Sequence, residues 1–105
     1  MAAVNINTEQ FNQLRNGNKP VLVDYWAPWC SYCRRITAAY DKIAEEYGHR
    51  LEVVKINIDE EEPLSQREQI EVIPTLVLYR GGQAVASIVA PESKARIDAF
   101  LQENR

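Results

Sequence analysis

From the N-terminus, apolar and polar positions alternate in blocks whose periods predict the elements. Val4 and Ile6 alternate with polar neighbours, which predicts a short strand over residues 3–7. Thr8 precedes Phe11 and Leu14 and can cap a helix over residues 8–16, which Asn16-Gly17-Asn18 and Pro20 end. Residues 21–26 are mostly apolar and rich in β-branched side chains, the pattern of a strand buried on both faces. From Cys30 to about Tyr47 the positions Ile36, Ala39, Tyr40, Ile43, Ala44 and Tyr47 follow helical spacing, with Gly48 as the stop. Leu51, Val53, Val54, Ile56 and Ile58 predict another strand. Pro63 can open a short helix through about Gln69, its first turn favoured by the acidic run 59–62. Leu76 to Tyr79 reads as a strand, Arg80-Gly81-Gly82-Gln83 as a hairpin turn, and Ala84 to Val89 as the returning strand. Ser93 can cap a last helix in which Ile97, Phe100 and Leu101 share a face. The order β, α, β, α, β, α, β, β, α implies an α/β fold with a parallel core and an antiparallel hairpin at its end.

Composition narrows the function classes. The 105 residues are 46% hydrophobic and 26% charged, with net charge −3. That suits one domain over residues 1–105, with a modest core. There is no basic patch of the kind nucleic acid requires, and no apolar run approaches the ~20 residues of a membrane span. The start, Met1-Ala2-Ala3-Val4-Asn5-Ile6, lacks a basic segment followed by an apolar one. A cytoplasmic protein is therefore expected, although a chain trimmed of a leader would look the same.

The chemistry concentrates between Asp24 and Arg35. Both cysteines of the chain, Cys30 and Cys33, lie here, two residues apart. A strand runs into a short loop that opens a helix, with Cys30 at or before the first turn. The free N–H groups and positive dipole end of a helix N-terminus favour an anion, so the Cys30 thiol should ionise more readily than usual and attack better. Cys33, one turn further in, is placed to attack a mixed disulfide formed on Cys30. The positive charges of Arg34 and Arg35 should favour the Cys30 thiolate slightly, unless both side chains are merely solvated. Asp24 is out of place in a central strand, because a buried carboxylate is costly unless partnered or protonated. Its plain structural role would be that of an acid paired with Lys55. Two rival readings of the cysteines are weak. A structural disulfide closing so short a loop stabilises little. A closed zinc site wants about four ligands, and one such pair with His49 cannot supply them. No metal and no cofactor are expected. Trp26 reads as core and Trp29 as surface beside Cys30.

Three motifs, Trp26-Ala27-Pro28-Trp29-Cys30-Ser31-Tyr32-Cys33, Lys55-Ile56-Asn57-Ile58-Asp59 and Ile73-Pro74-Thr75, resemble the thioredoxin family in order and spacing, over essentially the whole chain. The resemblance implies the thioredoxin fold, a central mixed five-stranded sheet flanked by four helices. It implies a cis bond before Pro74, beside the cysteines. It also implies a thiol–disulfide oxidoreductase that reduces protein disulfides. In that scheme Cys30 attacks a partner's disulfide, Cys33 resolves the mixed disulfide, Asp24 is the buried base and Lys55 tunes its charge. Trp29, Ser31, Tyr32, Ile73, Pro74 and the Val89-Ala90 loop form the surface where a substrate strand docks. A flavin- and NADPH-dependent reductase would recharge a protein that works as a monomer.

Departures from the family pattern matter as much. Ser31-Tyr32 stands where the family usually carries Gly-Pro, and Tyr32 is similar to the residue in glutaredoxins and some disulfide isomerases. The potential is therefore expected between about −270 mV for thioredoxin and about −180 mV for disulfide isomerase. That leaves open an isomerase or oxidase direction, or service to a dedicated partner. The stretches around Ile73-Pro74-Thr75 and Gly81-Gly82 do not match a glutathione site. A docking subunit without turnover is the alternative from another class. Ala38 replaces a kink proline, which implies a straighter helix, and Ala90 replaces a glycine whose absence should hinder close backbone approach.

Overall fold

The computed structural model describes residues 2–105. The chain forms β1 (Val4–Asn5), α1 (Thr8–Arg15), β2 (Val21–Trp26), α2 (Ser31–Arg35), α3 (Thr37–Tyr47), β3 (Glu52–Asn57), α4 (Glu62–Arg67), β4 (Thr75–Arg80), β5 (Gln83–Val89) and α5 (Lys94–Glu103). One five-stranded sheet has the order β1-β3-β2-β4-β5. β1, β3 and β2 are parallel, while β4 runs antiparallel to both β2 and β5. The expected mixed sheet is present, with β2 at its centre.

Side-chain alternation along β2 divides the core into two layers. Val21, Val23 and Tyr25 face a cluster with Phe11, Val54, Ile56, Leu64, Val77 and Tyr79. Leu22 faces the opposite cluster, with Tyr40, Ile43, Leu76, Leu78, Ile97 and Phe100. Period two puts Asp24 on the Leu22 side, the side covered by α3 and α5. In the first layer the Tyr25 and Tyr79 hydroxyls lie 2.7 Å apart, and Tyr79 donates to Glu68 Oε1 at 2.7 Å. Tyr25 must therefore donate to Tyr79, so each buried phenol has a partner.

Several expectations are corrected. The helix expected from Cys30 to Tyr47 is two helices, broken at Ile36, so the sheet is flanked by five helices rather than four. The missing proline does not prevent the break, which falls at Ile36, two residues before Ala38. The Thr37 hydroxyl donates to the Cys33 carbonyl at 3.3 Å, a back-bond that competes with the helical ladder where α2 meets α3. Asn7, not Thr8, caps α1: its side chain accepts from the Gln10 N–H, and the Gln10 side chain accepts from the Asn7 N–H. Thr8 instead gives both its N–H and its hydroxyl to Glu61 Oε1, at 2.8 and 2.7 Å. Trp26 is half-buried rather than core, because its indole N–H reaches Asn5 Oδ1 at 2.7 Å.

Gly48 does end α3, though not through a left-handed conformation, since its φ is −59°. A Cβ at this position would stand 2.7 Å from the Ala44 carbonyl oxygen. Gly48→Ala is therefore expected to destabilise the fold by about 1–3 kcal/mol, measured by urea unfolding. An unchanged midpoint would show that the last turn of α3 opens freely.

Candidate active site

β2 delivers the chain to the site and α2 receives it. The loop after Trp26 closes with the Cys30 N–H on the Ala27 carbonyl at 3.1 Å. Cys30 is the N-cap of α2, and its sulfur accepts the Cys33 N–H at 3.1 Å. That places an orphan backbone donor of the helix start directly on the sulfur, which stabilises a thiolate whenever the pair is reduced. Cys30 and Cys33 are joined as a disulfide, with their Cα atoms 5.2 Å apart. Both are buried, Cys30 with 8% exposure and Cys33 with 3%, so the outer sulfur is Cys30.

The Ile73–Pro74 peptide bond is cis, and the Ile73 carbonyl oxygen lies 4.0 Å from Cys30 Sγ. The Pro74 carbonyl accepts the Ala90 N–H at 2.8 Å, which ties the loop after β5 to this turn. Tyr32 closes the other wall, its hydroxyl donating to the Pro91 carbonyl at 3.1 Å. Between Tyr32 and the chain after β5 is a cleft of about 340 Å³ lined by Tyr32, Val89, Ala90, Pro91, Glu92 and Arg96. Trp29 is 65% exposed, and its indole N–H is held by Asp59 Oδ2 at 2.8 Å. Ser31 is exposed at the start of α2. Arg34 and Arg35 are not merely solvated: Arg34 donates to the Pro28 carbonyl at 2.8 Å, and the Arg35 guanidinium lies 5.6 Å from the Tyr32 ring centroid.

Asp24 is almost wholly buried, and its Oδ1 has no hydrogen-bond partner. Lys55 is its register neighbour on β3, yet the Lys55 ammonium sits over the Trp26 ring, 4.3 Å from the centroid. Among the described residues, no Asp24–Lys55 ion pair forms within 4.0 Å, so the structural pairing considered above is not made. Burial pushes the Asp24 carboxyl up to about 7, and the positive charge of Lys55 only partly opposes this. Tyr40, whose buried phenol senses the Asp24 charge, directs its hydroxyl to the Leu22 and Val54 carbonyls. It therefore leaves the carboxylate unsatisfied. The site thus holds a two-cysteine redox pair, a neighbouring cis-proline turn, and a buried acid that titrates near neutrality.

A thioredoxin family model matches residues 2–103. The chain belongs to the thioredoxin family. It is 36% identical to Thioredoxin 1 of Nostoc over 104 residues, spanning 98% of this chain and 97% of that one. It is 39% identical to thioredoxin of Pseudomonas aeruginosa over 102 residues, spanning 96% and 94%. The solved structure of Malassezia sympodialis thioredoxin superimposes with a TM-score of 0.87 at 28% identity, covering 97% of this chain and 90% of that one. The chain is a thiol–disulfide oxidoreductase, and its class of reaction is the reduction of protein disulfides. No helix among the described residues is long and apolar enough to cross a membrane.

Within this family site, sequence reading named the cysteines, Asp24 and the Ile73-Pro74 turn but missed three supporting groups. Asp59 orients Trp29, Pro91 accepts from Tyr32, and Tyr40 lies under Asp24. Each is distant in sequence from the side chain it serves, so no local pattern marks it. Ala90 departs from the family glycine at a cost: its φ is +46°, a left-handed conformation that an L side chain resists. Ala90→Gly is expected to raise stability by up to about 1 kcal/mol, read from urea unfolding. A loss of stability would show instead that the Ala90 methyl packs usefully in the cleft.

Proposed function

We propose that Cys30 is the attacking thiol and Cys33 the resolving thiol of a monomeric, cytoplasmic disulfide reductase. The observation that carries this assignment is the Cys33 N–H on the Cys30 sulfur, which favours the anion on the outer cysteine. Cys30 as thiolate attacks one sulfur of a partner's disulfide, which forms a Cys30–partner disulfide and expels the other partner sulfur as thiolate. Cys33 loses its proton to Asp24, attacks the Cys30 sulfur and expels the second partner thiolate. The partner gains two electrons, and the protein is left with the Cys30–Cys33 disulfide. A flavin- and NADPH-dependent reductase returns the electrons.

The surface roles follow from position. Trp29 and Ser31 flank the attacking sulfur, and Ile73 and Pro74 offer the backbone edge against which a substrate strand lies. Tyr32 and Ala90 shape the cleft beside it. Lys55 tunes Asp24 through its charge. The Tyr32 hydroxyl bond to Pro91 is a contact that proline at the same place would lack, and the loss of proline also frees φ at the start of α2. The pair is therefore expected to be somewhat more oxidising than the family's usual site.

Equilibration with glutathione, followed by tryptophan fluorescence, tests this reading. A potential between about −270 and −180 mV supports it. A value at or below the thioredoxin end removes any effect of Ser31-Tyr32. A value at the isomerase end changes the direction of flux to oxidation or isomerisation.

A further inference from the structure

A second cleft lies at the other end of β2 from Cys30, where Pro20 enters the sheet and α5 ends. Its floor is apolar, formed by Leu51, Leu78 and Leu101, all buried core residues. Its rim carries Arg50, Arg80 and Arg105, and none of the lining residues is acidic. Among the described residues none of these three arginines forms an ion pair; the salt bridges of the chain involve Arg67, Lys94 and Arg96. In a chain with 15 acidic and 12 basic residues, a rim whose charged side chains are all cationic goes against the average.

We propose that this cleft binds a small amphipathic carboxylate, an acid with one ring-sized apolar body. Two of the three guanidiniums are already held in place. Arg50 lies over the Tyr47 ring, 4.9 Å from its centroid, and Arg80 donates to the Asn104 carbonyl at 2.6 Å. Each contact leaves further N–H donors free, because a guanidinium carries five. Two such forks match the planar geometry of a carboxylate, and an anion between them relieves the mutual repulsion of the rim. The cleft encloses about 200 Å³. A dry cavity of about 150 Å³ is enough to hold benzene, so one ring or a short alkyl group fits here and a long acyl chain does not. An inorganic anion would use the rim and waste the floor. A neutral apolar molecule would do the reverse.

The site is independent of the cysteines, so it is tested on the oxidised full chain. The probes are 3-phenylpropionate, its neutral amide, inorganic phosphate, and a short peptide ending in phenylalanine. NMR shifts of the Leu51, Leu78 and Leu101 methyls are followed during titration. Saturable shifts with 3-phenylpropionate, at least about tenfold tighter than with the amide or phosphate, support the proposal. A loss of at least about tenfold in the Arg50→Gln/Arg80→Gln double variant supports it further. That variant should retain wild-type disulfide reduction, which shows that it is folded. Equal affinity for acid and amide, equal affinity for phosphate, binding by the peptide alone, or unchanged affinity in the double variant would each overturn it.

Discussion

Replacing Cys33 by serine is expected to stop turnover while leaving the first chemical step intact. Cys30 keeps the Cys33-position N–H on its sulfur, because that donor belongs to the backbone. It still attacks a disulfide. The mixed disulfide then has no neighbouring thiol to attack it. In the native chain the resolving sulfur is held one helical turn away, and such intramolecular groups act at effective concentrations far above any thiol in solution. Cys33→Ser should therefore lower steady-state reduction of a protein disulfide by at least about 10³-fold. A covalent complex approaching one partner per chain should appear on a non-reducing gel and vanish with dithiothreitol. Cys30→Ser should be equally inactive and form no complex, since Cys33 is almost fully buried. A covalent complex on Cys33 in that variant would reverse the two assignments.

Asp24→Asn should remove a large part of the pH dependence of stability. The Asp24 carboxyl ionises near its ordinary value of 3.8 when the chain is unfolded and at about 7 when it is folded. Below both values it is protonated in each state and costs nothing. As pH rises between them, the unfolded chain releases its proton while the folded chain keeps it, so the unfolded state is favoured increasingly. Above about 7 both are ionised and the loss levels off. The gap corresponds to ~4 kcal/mol for a group this buried. From pH 4 to pH 8 the native chain should therefore lose ~4 kcal/mol relative to the Asn variant, measured as the difference between their urea-unfolding free energies. Parallel pH profiles would mean that the carboxylate is stabilised in the fold by something other than the groups around it. The same variant should slow resolution of the mixed disulfide by about 10²-fold near pH 7, and its rate should lose the inflection near neutrality. Retention of that inflection would pass the role of base to another group.

These effects differ in how far they could be seen in advance. The position of the redox pair was legible because its signals are local: an apolar β-branched run, a short loop, and cysteines one helical turn apart. Asp24 was legible as an anomaly, since a carboxylate in a doubly buried strand breaks the pattern around it. The break at Ile36 was not. It depends on the Thr37 hydroxyl turning back to the Cys33 carbonyl rather than on a proline, and rotamer choice at one residue leaves no periodic trace. Nor was the cap on α1, because Asn7 and Thr8 are both good candidates and the selection is made by Glu61, far along the chain.

What the sequence determined by itself is the element order apart from the break at Ile36, the two-faced burial of β2 and the identity of the redox pair. These follow from periodicity and from residue chemistry over a few neighbours. Only the tertiary structure decided how that pair is surrounded. It set the Ile73 carbonyl beside Cys30, tied Ala90 to Pro74 and Tyr32 to Pro91, and drew Lys55 onto Trp26 and away from Asp24. It also gathered Arg50 from the loop before β3, Arg80 from the end of β4 and Arg105 from beyond α5 around one apolar floor. Contacts of this kind join residues tens of positions apart, and their geometry is set by how the layers pack rather than by any pattern along the chain.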